Sequence, residues 1–367
     1  MSGPPRGIHS PVTRSVGYPA HVPRTAFLTP FAFPSVRGNA ITSERIAVGL
    51  RQRGEDITTW DLSAVPETEV GAQVETWRPD LIHAFHALRA GPLGLRLARR
   101  LEIPLVVTLT GTDANHSLLD ARYAPTVRRV LEGAAAVTAF DGSIADHVAA
   151  VLPDVRGRLV VVPQAASFAR EEPFDLEARW SLPSDAVLFA LPAGIRPVKA
   201  PRRLLEPFDH VVAAYPRVRL LYVGPVIDAA EGDALAHGLR SRSWARHIGP
   251  IAHGAMPALL SRTDVVLNCS VSEGGMANAV LEALALGRAV LAADIAGNRA
   301  LIEHDVTGLL FDTDAELEAA ALRLARDDGL RARLGAAGRA RVAERWPPAR
   351  EIDGYLAVYR RLIPVNA

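Results

Sequence analysis

Residues 270–287 read SVSEGGMANAVLEALALG, and the two glutamates among them, Glu273 and Glu282, decide how the rest of the chain is read. An apolar run, DVVLNCS, precedes them and has the pattern of a buried strand. Gly274 and Gly275 mark a turn, and a helix opens near Ala277. A helix start of this kind offers unpaired N–H groups and a partial positive charge. Glycines beside it let the backbone approach a phosphate closely. Glu282 falls on the second helical turn among Val280, Leu281, Ala283 and Leu284, where a carboxylate can accept two hydrogen bonds from a vicinal diol such as a ribose. Glu273, in the turn, can accept from sugar hydroxyls. For an isolated pair of glutamates the simpler reading is that Glu273 complements the helix dipole and Glu282 faces water.

Outward from this stretch, strand-like and helix-like segments alternate with short connections from Thr25 onward. That alternation predicts parallel sheets covered on both faces. It pauses at the polar, proline-containing connector SFAREEPFDLEARWSLPSD and then resumes, so two successive open α/β units are expected, joined near residues 168–183. Residues 1–23 are rich in Pro, Gly, Ser and Arg without periodicity, which predicts a disordered leader with no signal-peptide apolar core. In open parallel sheets ligands bind beyond the carboxyl ends of strands, so the chemistry-bearing residues are sought there.

The 367 residues are long enough for two cores, and the formal net charge of +1 gives no basic field for nucleic acid. The basic segment GLRSRS itself contains no stacking aromatic residue, which also argues against a nucleic-acid partner. The single cysteine, Cys269, sits in an apolar run and is expected to be a small core residue; a cytoplasmic location fits a chain that can form no internal disulfide. No uncharged apolar run is long enough to span a bilayer.

Several residues fall just after predicted strands. LPAGIRPVKAPRRLL ends a strand near Gly194 and presents Arg196 and Lys199, two cations suited to a diphosphate, or else two solvated surface charges. Gly224, in VGPVID, follows another strand. After the first strand, SVRGNAITSER offers backbone amides at Gly38 and Asn39, with Thr42 expected as the helix cap; a plain capping loop accounts for it equally well. LIHAFHALRAG carries His83 and His86 at a strand end. Residues three apart on a strand face opposite sides, so His86 is assigned to the cleft, and His83 is either a second cleft residue or a core histidine. TLTGTDANH adds Thr110 and Asp113. Asp312–Asp314 spell DTD, a triplet that binds metal elsewhere, but they precede a helix where acidic caps are routine, and no metal site is assigned. No G-x-G-x-x-G follows the first strand, which disfavours a dinucleotide oxidoreductase.

The 270–311 stretch resembles the nucleotide-sugar site of the family 4 glycosyltransferases. SVRGNAITSER and LTGTD also resemble the related selenosugar synthases. The family resemblance implies the GT-B fold, two Rossmann-like domains facing across a cleft, with an acceptor-side domain at 24–170, a nucleotide-sugar domain at 171–345 and a helix at 346–367 that crosses back to the first. It implies that Glu282 binds the ribose, Glu273 the donor sugar, Arg196 and Lys199 the diphosphate, and that Gly274, Gly275, Asn278 and Ala279 meet phosphates or sugar. Gly194 and Gly224 join the donor side, His86 the reacting centre, and Gly38, Asn39, Thr110 and Asp113 the acceptor or sugar side. The implied reaction is transfer of a sugar from a nucleotide-diphosphate sugar to a small-molecule acceptor, retaining and without metal or other cofactor. A nucleotide-sugar epimerase or an idle nucleotide-sugar-binding protein are the alternatives. The family spaces its glutamates by seven residues and this chain by eight, so either the turn is one residue longer or Gly274 fills the usual slot.

Overall fold

The computed structural model describes residues 22–168, 171–273 and 275–363. The first half alternates strictly: β1 (Arg24–Thr29), α1 (Gly38–Gln52), β2 (Asp56–Asp61), α2 (Glu67–Trp77), β3 (Leu81–Phe85), α3 (Gly91–Leu101), β4 (Leu105–Thr108), α4 (Ala124–Gly133), β5 (Ala136–Ala139), α5 (Gly142–Val151) and β6 (Leu159–Val161). The six strands form one parallel sheet in the order β2-β1-β3-β4-β5-β6. β3, β4 and β5 are buried along their whole length, as strands covered on both faces must be. One face packs Val70, Leu93, Val127 and Val148 of the helices. Most of the predicted leader, residues 1–21, lies outside the described residues.

After an irregular connector the alternation restarts with β7 (Val187–Pro192), α6 (Leu205–Ala214), β8 (Val218–Val223), α7 (Ala229–Leu239), β9 (Ala245–His247), α8 (Met256–Ser261), β10 (Val265–Asn268), α9 (Asn278–Ala285), β11 (Ala289–Ala293), α10 (Ala296–Arg299) and β12 (Leu309–Phe311). The second parallel sheet runs β12-β11-β10-β7-β8-β9. Counted from its own first strand, this is the 3-2-1-4-5-6 order of a dinucleotide-type doubly wound sheet. α11 (Asp314–Arg326) and α12 (Asp328–Arg345) pack on its outer side. Thr313, within DTD, caps α11 in a reciprocal arrangement with Glu316, and Asp314 pairs with Arg203.

α13 (Pro348–Leu362) leaves the second sheet and covers the remaining face of the first. Its Ile352, Tyr355, Leu356 and Tyr359 join Phe27, Ile46, Leu50 and Phe85 in one core. Gly49 of α1 allows the close approach, since a Cβ there would lie 2.4 Å from Ile352 Cδ1. Two polar links cross the same seam. Arg45 meets Glu351 through two bonds of 2.9 Å, both side chains almost wholly buried. His83 lies between Tyr359 Oη and Thr108 Oγ1, at 2.6 Å from each. His83 is therefore the core histidine of the pair, and burial lowers its pKa to about 3. Among the described residues no helix is long and apolar enough to cross a membrane.

Candidate active site at the facing sheet edges

In each sheet the order in which the chain adds strands switches sides once. In the first, the chain leaves β1 for β2 on one side and returns to β3 on the other; in the second, the switch lies between β7 and β10. Ligand crevices form at such points, and here the two open onto one cleft of about 740 Å³. From the candidate residues the structure brings Gly38, Asn39, His86, Thr110, Gly194, Arg196, Lys199, Gly224, Glu273, Asn278, Ala279 and Glu282 to its lining.

The second-domain wall is built by strand ends. β7 delivers the chain into a loop that carries Gly194 and Arg196, and a single 3-10 turn, Pro197–Lys199, turns Lys199 inward. Gly224 closes β8 with φ of +149°, and a Cβ on it would lie 2.2 Å from the carbonyl oxygen of Ala193, so side chains are excluded where the two loops meet. The Arg196 Nε is buried with no hydrogen-bond partner among the described residues, so a donor is held ready for an anion. Burial depresses the Arg196 pKa against the pull of Glu273, and Arg37 and Arg89 lower it further.

Glu273 is nearly enclosed. Its Oε1 receives Lys199 Nζ at 2.5 Å, Ser270 Oγ at 2.7 Å and Asn268 Nδ2 at 3.0 Å. Burial alone would raise the carboxyl's pKa, but Lys199 and these hydrogen bonds outweigh it and hold Glu273 below the ordinary carboxylate range. Glu282, buried on α9, takes a 2.8 Å bond from His253 Nε2 on Oε1, and the ring of His253 packs against Phe168 with centroids 5.1 Å apart. The first turn of α9 carries no side-chain cap and no acidic residue, and its Ala277, Asn278 and Ala279 border the cleft, an arrangement that can receive an anion.

The first-domain wall starts at the N-terminus of α1, where Gly38 and Asn39 border the cleft. The helix begins four residues before Thr42, so Thr42 is not its cap; its hydroxyl lies 3.4 Å from Asn278 Nδ2 of the second domain. His86 follows β3 with φ of +83°. Its Nδ1 accepts from the backbone N–H groups of Leu88 and Arg89 at 3.2 and 3.3 Å, which leaves the ring proton on Nε2, 3.1 Å from Thr112 Oγ1. Burial lowers the His86 pKa despite nearby Asp113, so the ring is a neutral donor. The Thr110 hydroxyl is buried without a partner among the described residues and borders the cleft.

Besides Thr42, two further expectations are corrected and one falls outside the described residues. Asp113 does not reach the cleft: its Oδ1 accepts from the N–H groups of Thr110, Gly111 and Ala114 and its Oδ2 from Ala87, so the carboxylate pins two loops from beneath. Gly275 is not among the cleft-lining residues; a Cβ on it would meet Asp141 Oδ2 at 3.4 Å and Phe140 at 3.7 Å. Gly274 lies outside the described residues. Three groups that sequence reasoning missed tie the walls together. Asn115 Nδ2 donates to the Glu273 carbonyl at 3.1 Å, Gln164 bonds Asn278, and Ser272 meets His116. Gln164 carried a readable signal, since it lies three residues beyond the end of β6, where site residues are sought in a parallel sheet.

Both halves of the chain match known families. Residues 186–327 match the family described as Glycosyl transferases group 1, and residues 15–165 match the Glycosyl transferase 4-like domain. Glycosyltransferase 1 domain-containing protein 1 of Xenopus tropicalis is 30% identical over 307 residues, covering 81% of this chain and 86% of its own. The chain belongs to the group 1 glycosyltransferases. A D-inositol 3-phosphate glycosyltransferase of Segniliparus rotundus is 31% identical, covering 78% of this chain and 67% of its own. Among solved structures, Anabaena HepE in complex with UDP and glucose superposes with a TM-score of 0.76 at 18% identity, over 93% of this chain and 100% of its own. Sucrose-phosphate synthase of Thermosynechococcus elongatus gives 0.77 at 18%, over 92% and 99%. The facing Rossmann-like domains are the GT-B fold, and this group 1 glycosyltransferase is a transferase enzyme.

Proposed function

We propose that the enzyme moves a hexosyl or N-acetylhexosaminyl group from a nucleotide-diphosphate sugar to a small-molecule acceptor, with retention of configuration and without a resident metal. The observation that carries the reading is the shared cleft of Glu282, Arg196 and the Lys199–Glu273 pair. Glu282 Oε2 accepts from the ribose diol while His253 holds Oε1. Arg196, Lys199 and the α9 N–H groups hold the diphosphate. As the glycosidic bond breaks, negative charge builds there, and donors fixed before the reaction stabilise it more than they stabilise the bound donor. Glu273 faces the sugar, with the neutral His86 and the free Thr110 hydroxyl on the opposite wall. Residues 24–170 make up the acceptor-side domain and 171–345 the donor domain, Pro348–Leu362 is the returning helix, and the reaction is cytoplasmic. Retention rests on family likeness alone.

The complex of HepE with UDP and glucose makes UDP-sugars the first donors to try. Calorimetric titration of UDP-, GDP- and ADP-sugars tests the site. One of them binds the wild type, and Glu282→Ala and Arg196→Ala each weaken it without lowering the melting temperature. Unchanged affinity in both variants rules out the assignment. Nucleotide release that requires an acceptor separates transfer from isomerisation.

A further inference from the structure

The acceptor-side rim of the cleft carries positive charge that the donor assignment leaves unused. Arg37, directly before α1, and Arg89, in the turn between β3 and α3, both border the opening. Phe31 lies under them: the guanidinium carbons stand 4.0 Å (Arg37) and 5.9 Å (Arg89) from its ring centroid. Among the described residues neither guanidinium meets a carboxylate or makes a side-chain hydrogen bond. Elsewhere pairing is common, as for Arg45, Arg202, Arg203 and Arg242.

The lining holds four lysine and arginine side chains, Arg37, Arg89, Arg196 and Lys199, against two carboxylates, Glu273 and Glu282. Lys199 is matched by Glu273, and the donor diphosphate meets Arg196. Two guanidinium groups over one ring then repel each other across a short distance, and a bound anion removes that repulsion. Guanidinium forks match phosphate oxygens in geometry as well as charge. The uncapped N-terminus of α1, with no acidic residue in its first turn, adds N–H groups at the same rim.

We propose that Arg37, Arg89 and Phe31 form a subsite for a phosphate group on the acceptor, so that the enzyme glycosylates phosphate-bearing molecules in preference to their neutral parents. The proposal rests on the donor reading above, and its test keeps the two apart. With the enzyme saturated by the nucleotide that binds in the donor screen, glycerol 3-phosphate, glucose 6-phosphate and inositol 1-phosphate are titrated beside glycerol, glucose and inositol. At least one phosphorylated member binds, more weakly at high salt, and its parent does not. The Arg37→Gln/Arg89→Gln double variant weakens that binding roughly tenfold or more, with nucleotide affinity and melting temperature unchanged. Vesicles containing phosphatidic acid are sedimented with both proteins: capture that needs the two arginines, with no binding of the soluble phosphates, makes the source a lipid headgroup. Equal binding of phosphates and parents overturns the proposal, as does phosphate binding that survives the double substitution, or the absence of any phosphate binding in solution and on vesicles. A parallel loss of nucleotide affinity moves the arginines to the donor site and overturns it too. Failure of the wild type to bind any nucleotide overturns the donor reading first and this one with it.

Discussion

His253 Nε2 lies 2.8 Å from Glu282 Oε1, and Phe168 backs the imidazole. One carboxylate oxygen is thereby fixed and the other left for a ligand. His253→Ala keeps the charge of Glu282 but frees its rotamer. Losing a hydrogen bond to a buried charged group costs about 1.5–3 kcal/mol of stability, so the melting temperature drops, and donor affinity falls roughly tenfold or more because Glu282 is no longer held for the ligand. Calorimetry with the best-binding nucleotide sugar checks this, and an affinity equal to wild type would show that Glu282 needs no orientation.

Lys199 and Glu273 make a second prediction, in pH. The Glu273 carboxyl titrates below its ordinary range when folded, so the stabilisation it contributes is present above the unfolded value and is lost as pH falls through the lower folded one. Lys199→Met removes the charge that opposes burial. The acid limb of the pH–rate profile then moves toward neutral pH, and kcat falls by about 2 kcal/mol in barrier or more, by analogy with oxyanion-hole donors. A pH–kcat series on the variant measures both effects.

The buried Arg45–Glu351 pair joins α1 to α13. Removing one partner leaves an uncompensated buried charge, which costs about 3–5 kcal/mol. Glu351→Ala should therefore melt much earlier than wild type, whereas Arg45→Met/Glu351→Leu regains most of the loss. Differential scanning calorimetry of the three proteins decides whether the pair is a structural tie or an incidental contact.

His83 gives the stability curve a slope. Its folded pKa, about 3, lies far below the ordinary 6.5, so between these values the unfolded chain binds a proton that the folded one refuses. Stability is complete above about 6.5 and declines as pH drops toward 3, by about 1.4 kcal/mol per unit for one proton. His83→Gln should flatten the melting temperature's fall between neutral and mildly acidic pH by one proton's share. An unaltered slope would mean that this ring does not titrate in that window.

The two-unit architecture could be read from the sequence because parallel strands buried on both faces appear as uninterrupted apolar runs, such as LVVT in β4, separated by amphipathic helices. Arg196 and Lys199 could be read because both lie in the loop that follows β7, and Glu282 because it lies on the helix that follows β10. The first wall was harder. Asp113 looks like a substrate ligand in sequence, yet four backbone N–H groups claim it, and no side-chain pattern announces them. His83 could not be assigned because one of its partners, Tyr359, is 276 residues away. Thr42 sits where a cap is chemically suitable, but α1 had already started at Gly38, with extended backbone at Arg37 marking its entry. Local chemistry is visible in a sequence; pairing across domains is not.

The returning helix has a further consequence for biogenesis. The ribosome makes the first sheet early, yet the face that Tyr355 and Tyr359 cover must wait until the second domain has been synthesised. A nascent chain therefore carries an uncovered greasy surface for about half of its translation, from the end of β6 at Val161 to α13 at Pro348, and the unit that emerges first is the one completed last.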